Sequence, residues 1–181
     1  CCNTHNREQR RKRPWDVYFY LQHNQLIIAE MNLSWKNTGP ALVLIVLTFV
    51  AFGASLRFGY APLDDHFLIV NNLLIRAVSL SNLQAIFTSY DPELYIPLTL
   101  LSYQLNYMVG ALDPLGFHIV NILLHVSNGL LVYLVIKSTT GASKTLATFI
   151  AASFVVHPLM TQSVVWISGR KDLLMTLFFL A

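Results

Sequence analysis

Two adjacent carboxylates, Asp64 and Asp65, lie just beyond a long apolar segment of the chain. Residues 37–56 carry no charge, and about 20 such residues in a helix cross a hydrocarbon core of ~30 Å. Carboxylates that emerge from an anchored helix are held at a membrane surface, where they can act as bases, metal ligands or acceptor-binding groups. A carboxylate with a like-charged neighbour is a candidate general base. The alternatives are a solvated loop pair and an N-cap for a helix that begins at His66.

A second apolar segment carries polar side chains on one helical face. They recur at spacings of three, four and three residues: His118, Asn121, His125 and Asn128. Polar groups inside a membrane generally face the interior of a helix bundle or a wet cavity. We expect His118 to reach a site beside Asp64, and Asn128 to hydrogen-bond between helices where Gly129 permits close approach. A metal site at the two histidines is disfavoured because no carboxylate joins this face.

The third polar group comprises His157 and the sequence Gly169-Arg170-Lys171-Asp172. The macrodipole disfavours cations at a helix start, and a residue in a locally unfavourable position is often retained for function. Guanidinium and ammonium groups at the lipid boundary suit a phosphate or pyrophosphate. The alternative is an ordinary interfacial pair whose charged ends reach water.

The composition indicates a membrane protein that crosses the bilayer several times. The chain is 55% hydrophobic and 12% charged, whereas soluble domains are ~25% charged. It begins at Cys1 and ends inside an apolar run, 173–181, so we expect it to be the N-terminal part of a longer protein. Cys1 and Cys2 are adjacent, which fits neither a disulfide between them nor a metal motif.

The apolar segments predict an all-α polytopic membrane helix bundle. We expect spans over 40–58, 117–136 and about 144–158, and a fourth that begins after Asp172. The first is too long for a signal peptide and is read as a retained anchor. Apolar residues at helical spacing over 73–87 predict an amphipathic helix along the membrane surface. Residues 98–109 predict a second helix that is surface-packed or shallow, with a true crossing as the alternative.

Residues 1–36 differ from the rest by a basic cluster: Arg7, Arg10, Arg11, Lys12 and Arg13. We interpret them as a disordered cytosolic tail, or as upstream translation before Met31, and 37–181 as a multi-pass domain. A nucleic-acid partner is not expected, since the tail lacks interleaved aromatic residues. The positive-inside rule then places Lys137 and Lys144 in the cytosol and Asp64 on the extracytoplasmic face.

Several motifs occur in a familiar order: LDDHFLIVNN at 63–72, PLT at 97–99, SYQLNY at 102–107, GFHIVNILLH at 116–125, HP at 157–158 and GRKDLL at 169–174. Over about 40–181 the chain resembles the transmembrane, tetratricopeptide-repeat-containing O-mannosyltransferases and their bacterial relatives. The order of the whole set is far more specific than any single motif.

The resemblance implies a GT-C glycosyltransferase fold and a polyprenyl-phosphate sugar, such as mannose, as donor substrate. The residues point to no certain cofactor and to no metal ligands, since two adjacent carboxylates alone do not establish a metal site. Acceptors would be protein Ser/Thr hydroxyls, lipids or glycans at the extracytoplasmic face of a bacterial inner membrane or the endoplasmic reticulum. Asp64 would be the general base with Asp65 as its neighbour, and tetratricopeptide repeats would lie outside this sequence. The chain departs from the family at Ile96, where relatives often have Arg, and at Met160 and Gln162, where they often have His and Glu.

The favoured hypothesis is therefore a glycosyltransferase embedded in membrane lipid. Arg170 and Lys171 would stabilise the leaving phosphate, and Asp172, His118 and His157 would shape the polar pocket. The alternative is a non-catalytic scaffold or transporter-like protein, including an inactive glycosyltransferase relative. A transporter would carry charges or broken helices near the midplane, whereas the charges here cluster at the surface.

Overall fold

The computed structural model describes residues 38–62, 64–88 and 94–181. The chain divides into two units, Cys1–Thr38 and Gly39–Ala181, and the description below concerns the second. The predicted tail over 1–36 lies outside the described residues, so its interpretation remains a prediction.

All regular secondary structure in the described residues is helical, which confirms the predicted all-α class. The α-helices are α1 Thr38–Phe52, α2 Leu80–Thr88, α3 Pro97–Gly110, α4 Pro114–Thr140, α5 Lys144–Val155, α6 Met160–Val165 and α7 Arg170–Leu180. Four short helical turns connect them: the 3-10 turns Gly53–Arg57, Leu74–Arg76 and Ile167–Gly169, and the π-helical turn His66–Val70.

Within the part of the chain that the structure describes, two helical segments are long and apolar enough to cross a membrane, Thr38–Arg57 and Pro114–Thr140. They match the predicted spans over 40–58 and 117–136. By contrast, α5 has 12 residues and extends only ~18 Å, which is short of a hydrocarbon core of ~30 Å. The predicted helix over 98–109 is present as α3, and α7 begins at Arg170, slightly before the predicted fourth span.

Local capping fixes the ends of α4. Pro114 occupies the first turn, and the Asp113 carboxylate accepts a hydrogen bond from the Leu115 N–H at 3.1 Å. The helix ends at Gly141, whose φ of +63° is left-handed, a conformation that favours glycine. Both signals are in the sequence, so this helix is specified locally as well as by its apolar character.

The prediction of one amphipathic helix over 73–87 is wrong, because polar side chains end and begin helices inside that segment. The Asn72 side chain accepts from the Leu74 N–H at 2.9 Å, and Ser79 Oγ accepts from the Asn82 N–H at 3.1 Å. The Gln104 amide of α3 donates to the Ala77 carbonyl between the two helices. Side chains that bond nearby backbone compete with a continuous helix, so only Leu74–Arg76 and α2 form.

Three hydrophobic clusters hold the unit together. The first joins the 66–76 region, α3 and the start of α4 around Tyr103 and Phe117. The second joins α1, α4 and α5, and the third lies where α4 meets α6 and α7. At the α4–α5 contact a Cβ on Gly129 would collide with Val155, which confirms the predicted close approach of helices at Gly129.

Candidate active site

Arg170, the first residue of α7, is the centre of a buried polar cluster. Its side chain is 0% exposed. Nε donates to Asn121 Oδ1 at 2.8 Å, and one terminal nitrogen donates to Asn106 Oδ1 at 2.6 Å and Ser102 Oγ at 3.1 Å. The other terminal nitrogen donates to the Phe117 carbonyl at 2.9 Å. The guanidinium is therefore held by α3 and α4 together.

All these acceptors of Arg170 are neutral, so the cation is stabilised without a carboxylate among them. The guanidinium also lies 4.7 Å from the ring centre of Tyr103 and 5.6 Å from that of Phe117, where each aromatic face attracts a cation. Burial lowers the pKa of Arg170 to about 10. The side chain thus stays protonated at neutral pH, with most of its hydrogen-bonding capacity used inside the protein.

Three side chains from separate elements bind the turn that precedes α7. The Ser168 N–H donates to Asp65 Oδ1 at 2.8 Å, the Tyr103 hydroxyl donates to the Ile167 carbonyl at 2.9 Å, and Asn121 Nδ2 donates to the Trp166 carbonyl at 3.0 Å. We call this arrangement, the turn 166–169 with these three side chains, the bracket.

The two adjacent carboxylates have different surroundings, because Asp65 belongs to the bracket and Asp64 does not. Asp65 is 0% exposed, and its second oxygen accepts from the Ala61 N–H at 2.8 Å, so both oxygens are engaged by backbone. Asp64 is exposed. The sequence predicted both as catalytic candidates, and of the two only Asp64 has an exposed side chain.

Lys171 and Asp172 line a groove of about 540 Å³ between residues 94–99 and α7. Both side chains are half-buried, and Ser163 Oγ donates to Asp172 Oδ2 at 3.5 Å. The remaining lining is largely apolar: Tyr95, Ile96, Leu98, Leu174, Met175 and Phe178. An open apolar groove with an ammonium group in its wall can accommodate a hydrocarbon chain that carries an anionic end.

The predicted histidines have different surroundings. His118 is buried, close enough to Asp65 and Arg170 to interact with each electrostatically, and neither ring nitrogen bonds a described residue in good geometry. His157 is exposed, and its Nδ1 accepts from the Leu159 N–H at 3.3 Å. No described contact joins His157 to the bracket.

Deeper in α4, the polar stripe binds neighbouring helices. His125 Nε2 lies 3.0 Å from the Val155 carbonyl, and Asn128 Nδ2 donates to the Leu173 carbonyl at 3.0 Å. This confirms the predicted interhelical role of Asn128. Among the residues described, no group of three or more metal-ligating side chains is found.

Tyr60 connects the acidic loop to the turn between α3 and α4. Its hydroxyl donates to the Leu112 carbonyl at 3.1 Å. Burial, with smaller contributions from the Asp65 and Asp113 carboxylates, raises the pKa of Tyr60 to about 12. Burial likewise raises the pKa of Tyr103 far above its ordinary value, so both phenols remain donors at physiological pH.

The sequence reasoning missed the side chains of α3 that bind Arg170. Ser102 and Tyr103 precede Asn106 by four and three residues, so both lie beside it on the helix surface. Polar residues at that spacing in a largely apolar helix were the available signal. The departures from the resembled family lie around the site: Ile96 lines the groove, Met160 packs in the third cluster and Gln162 is exposed.

Comparisons with known proteins give relatives that are named protein O-mannosyl-transferases. Protein O-mannosyl-transferase Tmtc1 of Drosophila melanogaster is 32% identical over 149 residues, 78% of this chain and 17% of the relative. TMTC1 of Mus musculus is 33% identical over 151 residues, 78% of the chain and 16% of the relative. TMTC4 of Homo sapiens is 34% identical over 160 residues, 77% of the chain and 22% of the relative.

The predicted resemblance is thereby confirmed for about three quarters of the chain. The chain spans less than a quarter of the length of these curated relatives. No family model matches it, and no solved structure matches it.

Proposed function

We propose that this chain, a homologue of the protein O-mannosyl-transferases, is part of a multi-pass membrane glycosyltransferase of the GT-C type. It would transfer a sugar, mannose by analogy with the names of its relatives, from a polyprenyl-phosphate donor to a hydroxyl of a protein, lipid or glycan. The reaction would take place at the extracytoplasmic face, with the N-terminus in the cytosol. The observation that carries the proposal is an exposed carboxylate, Asp64, one residue from a buried carboxylate that bonds the turn before Lys171.

The acceptor side of the reaction rests on Asp64. Its carboxylate is exposed, whereas the neighbouring Asp65 is held by two backbone N–H groups. A general base must come within hydrogen-bonding reach of the hydroxyl proton that it removes. An acceptor hydroxyl can reach the exposed Asp64 carboxylate, so we assign Asp64 as the base. The buried Asp65 would not contact the substrate.

The donor side rests on the groove and on Lys171. The groove of about 540 Å³ is lined mainly by apolar side chains from residues 94–99 and α7, which suit a polyprenyl chain. Lys171 is half-buried in its wall, where an ammonium can bind phosphate as a point charge. Arg170 is fully buried, and its guanidinium already binds acceptors within the protein: Asn106, Asn121, Ser102 and Phe117. We therefore assign stabilisation of the leaving phosphate to Lys171.

The proposed chemical step balances without a further reactant. Asp64 takes the proton of the acceptor hydroxyl as that oxygen forms a bond to the anomeric carbon of the sugar. The bond from the anomeric carbon to the phosphate oxygen breaks, and its electron pair leaves on polyprenyl phosphate. Lys171 stabilises the charge that develops on this phosphate. The products are the glycosylated acceptor, polyprenyl phosphate and a proton on Asp64.

The test is transfer by the full-length protein in proteoliposomes with labelled polyprenyl-phosphate sugar and hydroxyl acceptors. We expect Asp64→Asn to lower kcat at least ~10²-fold, since general acid–base catalysis contributes ~10²–10⁴-fold, with donor binding retained. The matched control is Asp113→Asn, because asparagine also caps helices well and Asp113 serves α4 as its N-cap. Full activity of Asp64→Asn would refute the assigned base. Donor binding without turnover by the wild type would instead indicate an inactive relative that acts as a scaffold.

A further inference from the structure

We propose that Asp65, Tyr103 and Arg170 are positioning residues that fix the separation between Asp64 and Lys171 by means of the bracket. The inference rests on the proposed function, because it assigns a task to residues that would not touch substrate. It concerns how the base and the phosphate-binding cation are kept in register, and not which groups react.

The first argument is connectivity. The two groups that would react, Asp64 and Lys171, each have a buried neighbour in the chain. Asp65 follows Asp64, and Arg170 precedes Lys171. Both buried residues belong to the same hydrogen-bond network. A single hydrogen bond, from the Ser168 N–H to Asp65 Oδ1 at 2.8 Å, joins segments 103 residues apart. The path from base to cation therefore runs Asp64, Asp65, Ser168, Gly169, Arg170, Lys171.

The second argument is that the bracket has little freedom to move. A Cβ on Gly169 would lie 2.6 Å from the Ser163 carbonyl oxygen and 2.7 Å from that of Gln162, so the turn is in close contact with α6. Tyr103 and Asn121 bind the turn from the other elements, α3 and α4. Backbone that is bonded from several sides cannot shift in one direction without loss of a buried hydrogen bond.

The third argument is the cost of burying Arg170 with neutral partners. A cation removed from water loses several kcal/mol of hydration, and its acceptors here are two amides, a hydroxyl and a backbone carbonyl. Asn121 and Asn106 each bind Arg170 through oxygen and donate through nitrogen to the Trp166 and Gly116 carbonyls, respectively. The guanidinium thus fixes the orientation of both amides, and with them the start of α7, where Lys171 follows.

The test uses Tyr103→Phe in the full-length protein. This variant keeps the aromatic ring beneath Arg170 and removes only the hydroxyl that bonds the Ile167 carbonyl. The matched control is Ser127→Ala, which also removes a hydroxyl that donates to a backbone carbonyl, that of Leu123, but within α4 itself. Because a misplacement of ~1 Å can cost ~10²-fold in rate, we expect Tyr103→Phe to lower kcat about tenfold, and Ser127→Ala to leave it unchanged.

Two readouts separate positioning from mere folding. Hydrogen exchange of the peptide that covers 163–171 should increase in Tyr103→Phe and remain unchanged in Ser127→Ala. A double-mutant cycle compares the effect of Tyr103→Phe in the wild type and in Lys171→Gln. Tyr103→Phe should lower kcat far less in the Lys171→Gln background, because that variant has no ammonium group for a displaced turn to misplace.

Each outcome decides the matter. Faster exchange together with non-additive kcat values supports the bracket as a positioning device. Faster exchange with an unchanged kcat, or with fully additive effects, overturns the positioning role, and unchanged exchange overturns the bracket itself. Slow exchange over 163–171 in a wild type that transfers no sugar would refute the proposed function, and with it the positioning role, while leaving the bracket as a structural feature.

Discussion

Asp64 and Asp65 are adjacent in the sequence, yet their side chains have opposite surroundings. Asp65 is 0% exposed and accepts from the N–H groups of Ala61 and Ser168, whereas Asp64 is exposed. The sequence places both near a membrane surface but cannot tell them apart, because the group that selects Asp65 for burial lies 103 residues later. The difference in exposure therefore depends on this tertiary contact as well as on the local bond to Ala61.

This division predicts unequal effects on stability. Asp65→Ala should lower the free energy of unfolding by about 2 kcal/mol, because it leaves the buried Ser168 N–H and the part-buried Ala61 N–H without their partner, and an unpaired buried group costs ~1–3 kcal/mol. Asp64→Ala should change it by less than ~0.5 kcal/mol, as is usual for exposed sites. Denaturant titration of the purified protein in detergent measures both values. Equal effects of the two variants would contradict the assignment of Asp65 as the buried partner of the turn.

The sequence predicted the helices that form long apolar segments. It did not predict the helix ends that are set by hydrogen bonds between polar side chains and the nearby backbone. The spans over 40–58 and 117–136 correspond to Thr38–Arg57 and Pro114–Thr140 because an uncharged run of that length specifies a helix in lipid. Over 73–87 the apolar spacing was helical, but Asn72 and Ser79 bind the backbone and break the segment. The α3 residues that bind Arg170 were missed because their partner is distant in sequence.

The α4–α5 contact gives a prediction at the scale of whole helices. Gly129→Ala should destabilise the protein by ~1–3 kcal/mol, the usual cost of overpacking, because the added methyl collides with Val155. The same change should cost much less in the background of Val155→Ala, where room has been made. Gly53→Ala is the control, since nothing lies within 4 Å of its Cβ. Additive effects of the two substitutions in reversible unfolding would show that these side chains do not limit the approach of the helices.

At the scale of the molecule, the proposed chemistry requires the bracket and the basic ends of α4 and α5 to lie on opposite sides of the bilayer. The 27-residue α4 extends ~40 Å, enough to cross a hydrocarbon core of ~30 Å. Asp113 precedes this helix, on the side of the bracket and the groove, and Lys137 lies in its last turn. The predicted orientation puts Asp113 outside and Lys137 in the cytosol.

Accessibility of introduced thiols measures that orientation directly. In a full-length background without other cysteines, Asp113→Cys should react with a membrane-impermeant maleimide in intact right-side-out vesicles. Thr139→Cys, at another exposed position near the far end of α4, should react only after the membrane is opened, because the hydrocarbon core separates the two positions. Reaction of both thiols from one side would mean that α4 lies within a single leaflet or surface. Reaction of Thr139→Cys alone from outside would invert the orientation and place Asp64 and Lys171 in the cytosol, where an extracytoplasmic acceptor could not reach them.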